Sequence, residues 1–461
     1  MLSMSPSGPG GVDRPAPASA SDGHGLGYVV YPAMRIFLVS LAFAFLAACD
    51  RTERPQPEAG AVQLSVWSHA GQAGERRTIE RQLQVFNQQQ DRIQISLTFI
   101  PERSYNAQVQ AAAIAGALPD LLEFDVPYLY NYAWQGHLRP LETLLPGTLQ
   151  EDLLPSIIKQ GTYQGHLYGV GTFDSGLAIY ARRSLLQKVH ARIPVHPKQA
   201  WSVQEFEQLL DRLAAEDDDG AVLDLKLNYP DEWFSYAFSP VLQSAGGDLI
   251  DRSNYQRASG VLNGAASVRA MQHVQRWLTT GKVDPNLDDA AFVTGRVALS
   301  WAGHWEYRRY HAAFGDDLIL VPLPDFGTGS RTGQGSWVWG ISRHSDVPDK
   351  AAEVIAYLLQ PEQILAITEA NGAVPATHTA IGQSPLYQPG GPLHLFVVQL
   401  TEGYAVPRPR TPAYPVISAS FRQAFADIRN GMPVQQALDR AAAAIDEDIR
   451  DNHGYPPIEA R

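Results

Sequence analysis

Val62-Gln63-Leu64-Ser65-Val66-Trp67 alternates apolar and polar side chains, and the alternation returns at Ile93-Gln94-Ile95-Ser96-Leu97-Thr98-Phe99. A period of two places alternate side chains on opposite faces of a pleated strand. Leu121-Leu122-Glu123-Phe124-Asp125 reads as a third strand. Between the first two, Ile79, Leu83 and Phe86 recur at helical spacing, in a helix that ends near Asn87. Between the second and third, Tyr105 to Ala117 is rich in alanine, a strong helix former, and is stopped by Gly116 and Pro119. Strand, helix, strand, helix, strand predicts an α/β fold with a parallel sheet. Ligands of such sheets gather beyond the carboxyl ends of the strands. Trp67, Ser68, His69 and Asp125 stand at such ends.

Further along, Ala178-Ile179-Tyr180 reads as a strand, and Ser202 with Glu205 forms a capping box for a helix through Leu213. The acidic cluster Glu216 to Asp219, followed by Gly220, reads as a solvated turn. Val268 to Leu278 is an amphipathic helix, Leu318 to Val321 a strand ending at Pro322, and Ala351 to Leu359 a helix. A terminal alanine-rich helix covers Gln435 to Ile449, and no internal repeat or second membrane segment interrupts the pattern. A chain of 461 residues implies two or more domains, because single cores stop growing well below that length. Thirty-six basic residues face 48 acidic ones, a net charge of -12. Without a long basic run, that balance argues against a nucleic-acid partner.

The strongest local signal lies upstream. Met34-Arg35 is followed by the apolar run Ile36 to Ala48, which closes with Leu46-Ala47-Ala48-Cys49. A positive start, a short apolar core and small residues at a cut site predict a secretory signal peptide over residues 34–48. The run is too short for a spanning helix, which needs about 20 apolar residues. Residues 1–33, rich in Gly, Pro, Ser and Ala, read as a disordered or misassigned extension, with Met34 as the natural start. Cys49 is the only cysteine. Its setting resembles the lipobox of bacterial lipoproteins, in which the thiol receives a diacylglycerol and becomes the first residue of the mature chain. That resemblance implies an exported protein anchored to the cell membrane through Cys49, facing the periplasm or the outside, with residues 49–60 as anchor and tether. Asp50 resembles a signal for retention at the inner membrane. Cleavage here leaves no disulfide, so folding relies on core burial.

Several segments of the body, taken in order, resemble the extracellular solute-binding proteins of family 1, the maltose- and trehalose-binding group of ABC importers. The stretch Ala111 to Leu122, the turn Gly136-His137-Leu138-Arg139-Pro140-Leu141, and Asp174-Ser175-Gly176-Leu177 carry the first part of the likeness. Trp201-Ser202-Val203-Gln204-Glu205-Phe206, Phe292 to Leu299 with Gly303-His304-Trp305, Gly335-Ser336-Trp337, and Arg408 to Pro415 carry the rest. The resemblance implies a two-lobed periplasmic-binding-protein fold, type II-like, each lobe a mixed or parallel sheet flanked by helices. It implies a first lobe of residues 61–172 and 316–371, a second of 173–315 and 372–461, and a hinged cleft between them. Its functional implication is the capture of a carbohydrate, most readily a di- or oligosaccharide, for delivery to a membrane permease. It further implies a monomer without cofactor or metal.

Sugars present hydroxyls around weakly apolar ring faces, so carboxylates, Arg and aromatic faces suit them. By the resemblance, Asp125 and Asp174 supply carboxylates to sugar hydroxyls, while Trp305 and Trp337 stack on the sugar. Gly335 lets the backbone approach, and Arg408 reaches hydroxyls from the second lobe. Trp67, His69 and Trp233 are further candidate contacts. A turn aspartate, a core tryptophan or a surface ion pair is the plain structural alternative for each type. Trp301 and Trp339 are expected in the core, and Glu306 suits either place. The family's first strand often leads to an acidic contact, but here Ser68-His69-Ala70-Gly71-Gln72 precedes Glu75 and blurs its alignment. A phosphorylated solute would draw on Arg408, Arg410 and Arg182. His304 and His311 read as exposed helix histidines. Two other functions stay open: a glycosidase using Asp125, Asp174 and Glu306, or an envelope lipoprotein that binds a protein partner.

Overall fold

In the computed structural model, residues 60–229 and 231–457 are described. The leader, the signal peptide and Cys49 lie outside the described residues, as does nearly all of the tether. β1 (Val62–His69), β2 (Ile93–Ile100) and β3 (Leu121–Asp125) lie side by side as their alternation requires, with β1 parallel to both neighbours. After a helical excursion and a small hairpin of β4 (Thr162–Tyr163) and β5 (His166–Leu167), the chain leaves this sheet through β6 (Phe173–Asp174). It enters a second sheet as β7 (Leu177–Arg182), which β8 (Leu223–Asp224), β9 (Leu299–Gly303) and β10 (Leu318–Val321) complete in the order β10-β7-β9-β8. The chain returns through β11 (Thr332–Gln334) to β12 (Trp337–Ile341), which runs antiparallel to β3 and closes the first sheet as β12-β3-β1-β2. β13 (Val374–Pro375) pairs with β6 and β14 (Ala405–Pro407) with β11.

Each sheet is covered by helices whose apolar faces follow from their spacing. The helix Ala73–Gln89 buries Ile79, Leu83 and Phe86 against the first sheet. The helix Val203–Ala214 buries Phe206, Leu209, Leu210 and Leu213 in the core of the second, and the Ser202 side chain caps it by accepting from the Glu205 N–H at 3.2 Å. Burying a side chain of this size contributes about 1.5–3 kcal/mol. Trp301 and Trp339 are buried, as their alternation in β9 and β12 suggests.

The division of the chain departs from the expected boundaries. Leu318–Val321 pairs with β7 in the second sheet rather than joining the first. Thr377 bridges Leu153 beside the first sheet. Short edge strands and the segments between crossings carry too little pattern to show which sheet they join.

Three passages of chain therefore link the lobes, and Asp174 ties two of them. Its buried carboxylate accepts from the Ser175 N–H at 2.8 Å, from Gln160 Nε2 at 3.0 Å and from Gln334 Nε2 at 3.1 Å. The parallel β11–β14 pairing fastens the second passage to the third. Asp174→Ala strands two buried amide donors, so urea unfolding should show a loss of roughly 1–3 kcal/mol or more. An unchanged midpoint and slope would remove Asp174 from the hinge.

Candidate ligand-binding cleft

A cavity of about 470 Å³ lies between the lobes, within the size range of small-molecule sites. Its first wall comes from strand ends. His69 closes β1, Asp125 closes β3, and Trp337 opens β12 directly opposite Asp125 in the register. The His69 ring stacks on Trp337 with centroids 3.8 Å apart and planes 6° from parallel. His69 Nδ1 donates to Glu123 at 2.8 Å, and Nε2 lies 3.6 Å from Glu75. Burial alone would lower the imidazole pKa, but the Glu123 and Glu75 carboxylates outweigh it and hold it well above the usual histidine value. Glu75 responds in the opposite sense: burial raises its pKa, and His69 and Asn371 bring it below the ordinary carboxylate value.

Glu75 is the first acidic residue after Ser68-His69-Ala70-Gly71-Gln72. It stands in the first turn of the helix Ala73–Gln89, lines the cavity and accepts from Asn371 Nδ2 at 2.9 Å. The chain turns toward it through Gly71 at φ +52°, where a Cβ would come within 2.6 Å of Glu75 Oε2. Only glycine suits both the backbone angle and the space.

The opposite wall is aromatic. Trp305 lies against the backbone of Gly303, where a Cβ would fall 2.1 Å from the indole. Its Nε1 donates to the Tyr229 hydroxyl at 3.1 Å, and that hydroxyl donates in turn to the buried Glu306. Trp233 and Tyr236 set their ring centroids 6.0 and 6.1 Å from Trp305. The relay of hydrogen bonds fixes the indole plane, and Glu306 serves as its support beneath the wall.

The connecting passages form the third side. Gly335, at φ +110°, passes so close to Val126 and Gln160 that a Cβ would lie 2.9 and 3.0 Å from them. Arg408 is buried and grips Asp125 with two parallel bonds of 2.7 and 2.6 Å, while Nη1 reaches Glu232 at 3.1 Å. Glu232 also accepts from the hydroxyls of Tyr128 at 2.7 Å, Tyr414 at 2.5 Å and Ser418 at 2.6 Å. Burial raises the Asp125 carboxyl above its ordinary value, and Arg408 offsets part of that rise.

Asp125, Trp305, Trp337, Gly335, Arg408, His69 and Trp233 thus line one cavity. Asp174 and Trp67 do not: the first is enclosed in the hinge, and the second packs against the cluster of Tyr105, Phe124 and Tyr128. His304 is not an exposed helix residue. It is buried on the cavity wall in the turn after β9, with Nδ1 2.8 Å from the Asn371 carbonyl, and burial lowers its pKa to about 4. His311 is exposed. Arg410 donates to the Lys159 carbonyl and Arg182 lies over Phe314, so neither joins Arg408 in a phosphate cluster. Tyr229, Glu232 and Tyr236 were missed. A Tyr–Trp–Tyr spacing of 229, 233 and 236 at a helix entrance is their one sequence signal.

Two sheets joined by three passages, with a polar and aromatic cleft between them, define a two-lobed solute-binding architecture. The profile of the bacterial extracellular solute-binding proteins matches residues 82–389, and the chain belongs to that family. A maltose-bound MalE3 of T. maritima is similar with a TM-score of 0.72 and 21% identity, covering 84% of this chain and all (100%) of that one. The GacH receptor of Streptomyces glaucescens, solved unliganded and with acarbose, gives 0.71 and 21% over 86% and 98% of the two chains. The cyclic alpha-maltosyl-1,6-maltose binding protein of Arthrobacter globiformis gives 0.69 and 21% over 85% and 100%. These likenesses establish the fold. An uncharacterized lipoprotein in the oleD 5' region of Streptomyces antibioticus is 29% identical over 149 residues, 32% of each chain, so the match spans about a third of that curated relative.

The His69 cluster has a defined pH signature. Its raised histidine pKa contributes stability below the unfolded value and loses it as pH rises through the folded one. The lowered Glu75 pKa contributes above the unfolded carboxylate value and loses it toward acid. The stability gap between the native chain and His69→Gln should therefore be widest from about pH 4.5 to 6.5 and shrink on both sides. Urea titrations across pH measure it, and a gap independent of pH would contradict the charged pairing.

Proposed function

We propose that this protein is the substrate-binding component of an ABC-type importer and captures a di- or oligosaccharide in the interlobe cleft. The observation that carries the reading is the placement of an aromatic wall around Trp305 opposite the Asp125–Arg408–Glu232 cluster. Sugar C–H faces stack on the first, and hydroxyls exchange hydrogen bonds with the second. The bound molecules named for the structurally similar proteins, maltose and acarbose among them, support the same chemistry. Trp305, Trp337, Asp125, Arg408, Gly335, His69 and Trp233 are the proposed contacts, joined by Glu75, Tyr229 and Glu232. Asp174 takes the role of hinge tie. Ligand-driven closure of the lobes about the three passages would present a closed form to the permease.

A glycosidase needs two carboxyl groups flanking the scissile bond. Here Asp125 is clamped by Arg408, Asp174 is enclosed in the hinge, and Glu306 lies beneath Tyr229. That arrangement supports a receptor that binds without catalysis. Export and lipid anchoring through Cys49 complete the proposal, supported by the sequence over residues 34–50 and by the relative named as a lipoprotein. No helix among the described residues is long and apolar enough to cross a membrane.

A screen of mature protein against mono-, di- and trisaccharides and polyols, read by melting temperature and tryptophan emission, tests the binding role. A ligand at a hundredfold its Kd should stabilise the fold by about 2.7 kcal/mol. Trp305→Ala should weaken the best binder by roughly tenfold or more. If no saccharide or polyol moves either signal, the carbohydrate reading fails. For the anchor, Cys49→Ser should shift the expressed protein from the membrane to the soluble fraction, and continued membrane retention would count against lipidation.

A further inference from the structure

The cleft carries an uneven charge balance that its polar contacts alone do not require. Two buried cations face it, and each lies between two carboxylates: His69 between Glu123 and Glu75, and Arg408 between Asp125 and Glu232. Each triad keeps one negative charge in excess. At the rim, Arg422 is paired with Asp231 at 2.8 Å, while Glu102 and Arg103 are both exposed and make no ion pair with each other. His304, the remaining basic group on the wall, is held neutral by burial. A ligand that enters therefore meets no unpaired buried cation among the described lining residues, since Arg103 is exposed to solvent at the rim, and it meets two centres of surplus negative charge in a low-dielectric setting.

Resting on the saccharide reading above, we infer that the cleft selects its sugar by charge, favouring an amine-bearing saccharide over its neutral parent and rejecting anionic ones. A protonated amine gains Coulomb attraction from carboxylates that water screens weakly. It also meets the electron-rich faces of Trp305 and Tyr229, which attract cations. A uronate or a sugar phosphate meets the reverse: it must displace Asp125 or Glu232 from Arg408, or bring a further anion beside them. Either course leaves a buried charge poorly paired.

The experiment starts from the tightest neutral saccharide found for the mature protein and compares it with its amine-substituted and anionic analogues by calorimetry. Where trehalose is that binder, trehalosamine and trehalose 6-phosphate complete the set. The amine should bind at least about threefold tighter than the neutral sugar, and the anion at least about threefold weaker. Both gaps should persist in about 0.5 M salt, which screens attraction to the acidic surface but not to buried groups. Glu75→Gln, which removes one surplus charge and keeps the side-chain shape, should narrow both gaps, each read as a ratio to the variant's own affinity for the neutral sugar. Equal affinities, a reversed order, or a gap abolished by salt or untouched by Glu75→Gln would overturn the charge selection and leave saccharide binding standing. If no saccharide of any charge binds, the proposed function itself has failed.

Discussion

The grip of Arg408 on Asp125 and Glu232 is the interaction around which the cleft is arranged. It joins the end of the first sheet, the third connecting passage and a helix of the second lobe at one buried guanidinium. Burying a charge is costly unless its geometry and partners are nearly ideal. The parallel two-bond contact with Asp125 and the hydroxyls of Tyr128, Tyr414 and Ser418 around Glu232 supply those partners. Such a cluster adds little net stability compared with an apolar core. What it adds is position, because each member is useful only where the others are.

Position is set by the same means elsewhere in the cleft. Gly71, Gly303 and Gly335 each bring backbone against a functional side chain or a crossing strand, at spacings that leave no room for a Cβ. Trp305 is held by a hydrogen-bond relay through Tyr229 to Glu306, and His69 is held between two carboxylates and the face of Trp337. The walls are thus held by contacts within the chain itself. Side chains held by the fold in this way lose less freedom when a ligand binds.

Much of this was legible before folding. The alternation in β1 and β2 and the helical spacing between them recur in the structure with shifts of a residue or two at the ends. Seven of the nine residues singled out in the sequence line one cavity. Asp174 and Trp67 are the exceptions, for physical reasons. A carboxylate after a strand can face a ligand or tie a hinge, and the choice depends on whether Gln160 and Gln334, far away in sequence, arrive beside it. Trp67 shows the same dependence, since its outward or inward face is decided by the aromatic neighbours of another segment. His304 looked exposed because helical spacing shows nothing of what a distant helix end, at Asn371, lays over it.

The sequence by itself determined the α/β class, the order of the main elements and the signal-like segment ending at Cys49, since these follow from local periodicity and composition. The tertiary structure decided which sheet the strand Leu318–Val321 joins and which acidic residues face the cleft. It also decided how the charges are paired there. Those properties depend on contacts between residues hundreds of positions apart, such as Arg408 with Asp125 and Asn371 with Glu75. Local pattern carries no record of such distances, and only packing brings the partners together.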